Sequence, residues 1–264
     1  MNGMILRPFL YAIAACAALM GSYFLPGLQM GQALSESGRT NLPFRIGERL
    51  MYNLSWGVIS AGTAVLEIGD PEIFEGHPAL RLMHTARSNA VVSAFFVIDD
   101  RLVSLVDDHT LLPYRLSFLR REGARRNDIE VLFDRDLRQA SLNKDGRTEQ
   151  YEIPPDAQDS LSWLYYIRTL PSSAAASSVT VPVFHEGRNT VIEVRFEGIE
   201  HVTSGQGEVE TVHVVAMMPP KGLFSNRGPI DVWLSNDAAR VPILIKTKIV
   251  VGSIAATLIS REGD

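Results

Sequence analysis

The sequence predicts a mainly β fold: a large curved antiparallel sheet, or an open barrel-like one, around one buried helix at about residues 159–170. Three observations carry this. Runs of alternating apolar and polar residues, rich in β-branched and aromatic side chains, recur from Arg49 to the end of the chain, as half-buried strands require. Turn residues separate them, most clearly in Asn143-Lys144-Asp145-Gly146, because Asp-Gly tolerates the positive φ of a tight hairpin. One segment, Asp159–Leu170, instead has helical spacing.

In chain order, Leu50, Tyr52, Leu54 and Trp56 alternate with Arg49, Met51, Asn53 and Ser55. Gly57 marks a bend, and Ala61–Ile68 resumes the pattern. Strands are expected over Ala79–Ala86 and Arg101–Val106, with Pro113–Leu119 and Ile129–Phe133 as two arms of a hairpin. Leu137–Leu142 and Thr148–Ile153 flank the Asp-Gly turn. Val179–Phe184, Thr190–Phe196, Val209–Met217, Ile230–Leu234, Val241–Val251 and Ile254–Ile259 complete the set. Many strands with short connections suit an antiparallel sandwich or barrel.

For the helix, Asp159 is a good N-cap and Pro171 a stop. Leu161, Trp163, Leu164 and Ile167 make most of its circumference apolar, so it is expected to plug a barrel or lie on a concave sheet. A second helical turn is expected at Asn89–Phe96. The linker-like stretch Ser172–Ser178 reads as a loop crossing a single domain of residues 42–260.

Residues 1–33 read as a signal peptide. Arg7 precedes an apolar run of 17 residues, Phe9–Leu25, and Gly31-Gln32-Ala33 supplies a small-x-small exit with cleavage after Ala33. Two alternatives stay open: Ile13-Ala14-Ala15-Cys16 resembles a lipoprotein box that would tether the chain through Cys16, and residues 9–25 would serve as an uncleaved anchor. All three place the remaining chain outside the cytoplasm, in the periplasm.

The composition is ordinary for a globular protein, 46% hydrophobic and 21% charged. The net charge of −5 argues against a nucleic-acid binder. The single cysteine excludes a disulfide framework and a thiolate metal cluster. The six histidines show no metal-ligand spacing, and neither a Gly-x-Ser-x-Gly elbow nor a phosphate-binding glycine loop occurs. The reading therefore assigns no catalytic residue, metal or cofactor. Asp99-Asp100 and Asp107-Asp108 are paired acids, but neighbours in a strand point to opposite faces, so neither pair forms a catalytic dyad by itself.

Two groups are candidates for ligand binding. Arg120, Arg121, Arg125 and Arg126 make the region from Arg115 to Arg147 basic, nine basic residues against six acidic, in an acidic protein. Their planar forks suit lipid phosphates or acidic glycans; the plainer alternative is a solvated hairpin tip. Trp56, Phe95, Phe96, Trp163, Phe224 and Trp233 would line an apolar cavity or simply fill the core.

Several stretches resemble a family of exported bacterial proteins known as domain of unknown function 3108. They are Phe44-Arg45-Ile46-Gly47-Glu48-Arg49-Leu50-Met51-Tyr52, Ser55-Trp56-Gly57-Val58-Ile59-Ser60-Ala61-Gly62, Asp159–Arg168, and Val232-Trp233-Leu234-Ser235-Asn236-Asp237 with Val241-Pro242. The resemblance spans nearly all of residues 42–260. It implies a β-rich exported protein and brings no catalytic residue. A looser likeness to periplasmic lipoprotein carriers of the LolA/LolB type implies a curved sheet around an apolar cavity closed by a helix. Together these readings lead to a non-enzymatic envelope protein that binds an amphipathic or glycan ligand such as lipid, lipopolysaccharide or polysaccharide. The alternatives are an assembly protein with an envelope protein partner and a hydrolase of an envelope polymer using paired carboxylates.

Overall fold

Alternation of side chains builds one continuous antiparallel sheet. The computed structural model describes residues 42–171, 178–217, 228–248 and 252–263. In chain order the strands are β1 (Arg49–Trp56), β2 (Ile59–Ile68), β3 (Glu72–Phe74), β4 (His77–Ser88), β5 (Asp99–Asp107), β6 (Pro113–Glu122), β7 (Arg125–Asp134), β8 (Gln139–Lys144), β9 (Arg147–Glu152), β10 (Val179–His185), β11 (Arg188–Ser204), β12 (Gly207–Met217), β13 (Ile230–Ser235), β14 (Pro242–Lys248) and β15 (Ser253–Glu262). Neighbours in the sheet run from β10 in order to β15, then β1, β2 and β4 through β9, with β3 on the end of β4. The last strand thus pairs with the first, Leu54 opposite Ala256.

The sheet is not closed into a barrel: among the described residues no ladder joins its edges, β9 and β10. The edges nonetheless meet. Gln158, just after β9, makes a parallel bridge to Val183 of β10, and Asn189 Nδ2 donates to the Glu152 carbonyl at 2.7 Å. The Phe184 ring lies 6.0 Å from Phe133 and 5.5 Å from Tyr151.

Two helical segments are described, α1 (Ala90–Ser93) and α2 (Ser162–Thr169). As expected from its circumference, α2 is buried inside the curved sheet: Trp163, Leu164, Tyr165 and Ile167 belong to the same apolar core as Leu82, Phe118 and Val183. It begins three residues later than the sequence suggests, because a turn at Ser160-Leu161 comes first. Its N-cap is therefore Leu161, not the expected Asp159, which instead holds the turn before the helix. Asp159 Oδ1 accepts from the backbone N–H groups of Leu161 and Ser162, each at 2.7 Å, and Ser162 Oγ accepts from Asp159 N. At the other end Arg168 makes two hydrogen bonds to the buried Glu48 carboxylate, at 2.7 and 3.0 Å. The helix is therefore tied to the sheet by polar contacts at both ends, with apolar packing between.

Strand boundaries depart from the alternation at a few places. β3 was not expected, being three residues long and without a buried position. β6 and β7 run closer to their shared turn than their apolar residues mark, because Arg120 and Glu122 take inward positions that hydrophobic residues hold elsewhere. β11 extends to 17 residues by absorbing a register shift between Phe196 and Gly198.

Candidate functional site

The β6–β7 hairpin separates the candidate arginines by strand parity. Gly123 turns the hairpin at φ +57° and receives the Phe96 ring, which a Cβ would overlap. Arg120 points inward and is buried, its guanidinium paired with Glu186 and 4.6 Å above the Phe118 ring. Arg121 points outward, 2.6 Å from Asp128 and hydrogen-bonded to the Arg120 and Asn127 carbonyls. Arg125 approaches Glu186 at 3.9 Å. Arg126 is exposed and makes no ion pair among the described residues.

Arg120 belongs to a buried polar knot that draws on four regions of the chain. Asp100 and Glu122 are only 2% and 4% exposed, and Asp100 Oδ2 and Glu122 Oε1 have no hydrogen-bond partner among the described residues. Burial first, then the Asp100 charge, pushes Glu122 up to about 7. Burial likewise raises Asp100, although the Arg121 backbone N–H on its Oδ1 opposes this. Two carboxyls so placed hold one proton between them. Burial would also raise Glu186, but hydrogen bonds and charge from His185 and Arg120 outweigh it and hold that carboxyl well below the usual range. His185 Nε2 lies 3.3 Å from Glu186, while its Nδ1 lies 2.5 Å from Ser160 Oγ. The Ser160–His185–Glu186 succession has the residue types of a nucleophilic triad. Ser160 is 2% exposed, so its hydroxyl holds the turn before α2 against β10 instead of facing a substrate. His84, inward on β4, is a further enclosed group: its Nδ1 has no hydrogen-bond partner among the described residues and burial lowers it to about 4.

Outside the sheet, the same strands form a trough of about 470 Å³. One row of outward residues crosses its centre: Val65 of β2, Thr85 of β4, Arg101 of β5 and Leu119 of β6, each opposite the next in register. Met83 adds to the apolar floor. Two of its three arginines are engaged, Arg87 with Asp99 at 2.9 Å and Arg121 with Asp128. Arg101 is exposed and makes no hydrogen bond or ion pair among the described residues.

The aromatic candidates do not converge on one wall. Trp163 is packed in the core and Phe96 is half-buried against it. Phe95 is 79% exposed. Trp56 is half-buried at the end of β1, beside Gly252. Trp233 stands on the face of β13 opposite Val232 and Leu234, stacked on His213 with ring centroids 4.4 Å apart, its Nε1 donating to Glu200. Phe224 lies outside the described residues, as do Cys16 and residues 1–33. Of the acid pairs, Asp99 faces out to Arg87 and Asp100 in to Glu122, while Asp107 accepts hydrogen bonds from its own turn and Tyr114.

Residues 51–259 match the family described as protein of unknown function (DUF3108). The chain belongs to this family. The fold of this DUF3108 member is similar to a solved β-barrel-like protein of another domain of unknown function, DUF1849, from Brucella abortus, with 11% identity, a TM-score of 0.54, and coverage of 82% of this chain and 97% of that one. A putative exported protein with a YmcC-like fold from Bacteroides fragilis is also similar, at 11% identity and a TM-score of 0.39, covering 84% and 98%. No curated protein matches. The first likeness supports the curved β architecture and says nothing of a ligand.

Proposed function

We propose that this DUF3108 protein is a non-enzymatic component of the cell envelope, exported through residues 1–33, that binds an anionic amphiphile in the trough over β2, β4, β5 and β6. The observation that supports this is Arg101: a guanidinium without a protein partner among the described residues, set between Val65, Met83 and Leu119. An apolar floor accepts acyl methylenes, and a free fork of donors accepts a phosphate or carboxylate beside them. Among the described residues the trough offers no aromatic face on which a sugar ring would stack, which favours a lipid over a glycan. The carboxylates of Asp100 and Glu122 do converge from different strands, but each is almost wholly enclosed, which weighs against hydrolysis of a polymer.

Dodecyl phosphate and dodecyl maltoside, each kept below its micelle concentration and titrated calorimetrically, test the reading. The phosphate is expected to bind, and Arg101→Ala is expected to weaken it about tenfold, the loss of one charge-assisted contact. Equal binding of the two detergents, or no effect of the substitution, would reject it.

A further inference from the structure

The antiparallel order places the β1–β2 turn, the segment Ser88–Ile98 and the β6–β7 turn at the same end of the sheet. That segment is a strap between the two turns. At one side Asn89 donates through its backbone N–H to the Ala61 carbonyl at 2.9 Å and through Nδ2 to the Ser60 carbonyl at 2.7 Å. At the other side Val97 O accepts from Gly123 N at 2.8 Å, Ile98 bridges to Glu122, and the Phe96 ring sits on Gly123. Asn89 caps α1 by accepting from Val92 N at 3.0 Å, and the Ser88 and Ser93 hydroxyls are hydrogen-bonded to each other.

Polar anchors thus fix the strap while its apolar side chains face solvent. Phe95 is 79% exposed, Val91 67% and Val97 51%; on the neighbouring turn Val58 is 101% exposed and Ile59 55%. No residue from Ser88 to Ile98 carries a charge. Cations flank this rim: Arg126 begins β7 beside Arg125, which is itself 3.9 Å from Glu186, immediately after the turn that Phe96 packs against. Lys248 ends β14 opposite Ser253, whose carbonyl accepts from Gly57 N at 2.9 Å. The nearby acids Asp99 and Asp128 are neutralised by Arg87 and Arg121.

We infer that this rim is a docking surface for an anionic lipid bilayer. Its apolar groups project from a turn, the first residue of β2, the single helical turn α1 and the strap after it, with Val58 fully clear of the protein. Acyl chains and headgroups accommodate any projecting shape. Apolar residues flanked by Arg126 and Lys248, with Asp99 and Asp128 paired to arginines and Asp145 held by Asn127 and the Asp128 N–H, match a surface that is greasy beneath and negatively charged on top. The inference is independent of the trough, which faces sideways from the sheet and would still bind a soluble amphiphile if the rim bound nothing.

A site-specific probe separates rim docking from any contribution of the apolar run at residues 9–25. With Cys16→Ser removing the native thiol, single cysteines at Val58→Cys and, at the opposite end of the sheet, Leu137→Cys are labelled with nitrobenzoxadiazole on the full chain. Vesicles of phosphatidylcholine with about one-third phosphatidylglycerol are expected to raise the emission at position 58 several-fold and leave position 137 unchanged. Phosphatidylcholine alone, added salt, or Phe95→Asp with Arg126→Glu is expected to abolish most of the rise. An unchanged signal at 58 overturns the proposal and turns the rim into a candidate protein interface. An equal rise at 58 and 137 overturns it in favour of attachment through the N-terminal run, and a rise indifferent to anionic lipid overturns the role of the cations.

Discussion

At the residue scale, strand parity decides what a charged side chain does. Arg120 and Arg121 are neighbours in sequence, yet one is buried against Phe118 and Glu186 and the other lies on the outer face beside Asp128. The buried one sits in a knot whose proton content depends on pH. Glu122 titrates near 7 in the folded protein against 4.5 for the free side chain, so the folded state holds its proton more tightly than the unfolded chain does. The stability this supplies is complete below about pH 4.5, declines as pH rises, and is gone above about pH 7. Glu122→Gln keeps a donor toward Asp100 and cannot ionise. It is expected to leave stability at pH 5 nearly unchanged and to raise it at pH 8 by on the order of 2 kcal/mol, from the energy equivalent of a pKa shift. Urea unfolding at both pH values measures this; a change of equal size at the two would show that the carboxyl pair does not share a proton as described.

At the element scale, α2 shows which parts of the molecule are legible in the sequence. Its existence, burial and stop at Pro171 follow from local spacing. Its start does not, because the turn at Ser160-Leu161 is held by Ser104 and His185, which local pattern cannot reveal. The strands are legible wherever one face is apolar. They fade at β3, which buries nothing, at the end of β6, where Arg120 and Glu122 replace the expected apolar residues, and at the start of β7, where Arg125–Asp128 bury nothing. The polar knot left no motif, since Asp100, Glu122, Ser160 and Glu186 meet only after the sheet curls. Arg101 of the trough was hidden for a related reason: its setting is a row across four strands, not a run along one. Arg168 gives the element its sharpest test. Arg168→Met leaves the buried Glu48 carboxylate, among the described residues, with only Arg261 at 3.8 Å, and stranding such a charge typically costs about 3–5 kcal/mol. The double variant Glu48→Leu with Arg168→Met removes both charges and is expected to recover more than half of that loss. Chemical unfolding of the three proteins decides; a double variant as unstable as the sum of its parts would mean that the pair contributes mainly through packing against Phe44 and Tyr165.

Across the whole molecule, the sheet is strong at its middle and weak where its edges approach. β1 lies between β2 and β15 and buries Leu50, Tyr52 and Leu54. Among the described residues β9 is paired only on the β8 side, and none of its residues is fully buried. Among the described residues, the β9 region is held to β10 by a short bridge at Gln158, a side-chain hydrogen bond from Asn189, and the rings of Tyr151 and Phe184. The Arg120, Arg125 and Lys144 side chains reach across the same gap to Glu186. Local opening begins where buried apolar contacts are fewest and backbone hydrogen bonds are most exposed. Amide hydrogen exchange is therefore expected to proceed fastest in β9, then β8, and slowest in β1, β2 and β15. Glu186→Gln removes the anion on which the three cations converge, so it is expected to accelerate exchange in β8–β10 by about tenfold while leaving β1 and β15 unchanged. Uniform acceleration across the sheet would mean that the gap opens only with global unfolding. Acceleration confined to β8–β10 would identify it as a seam through which the interior around α2 communicates with solvent.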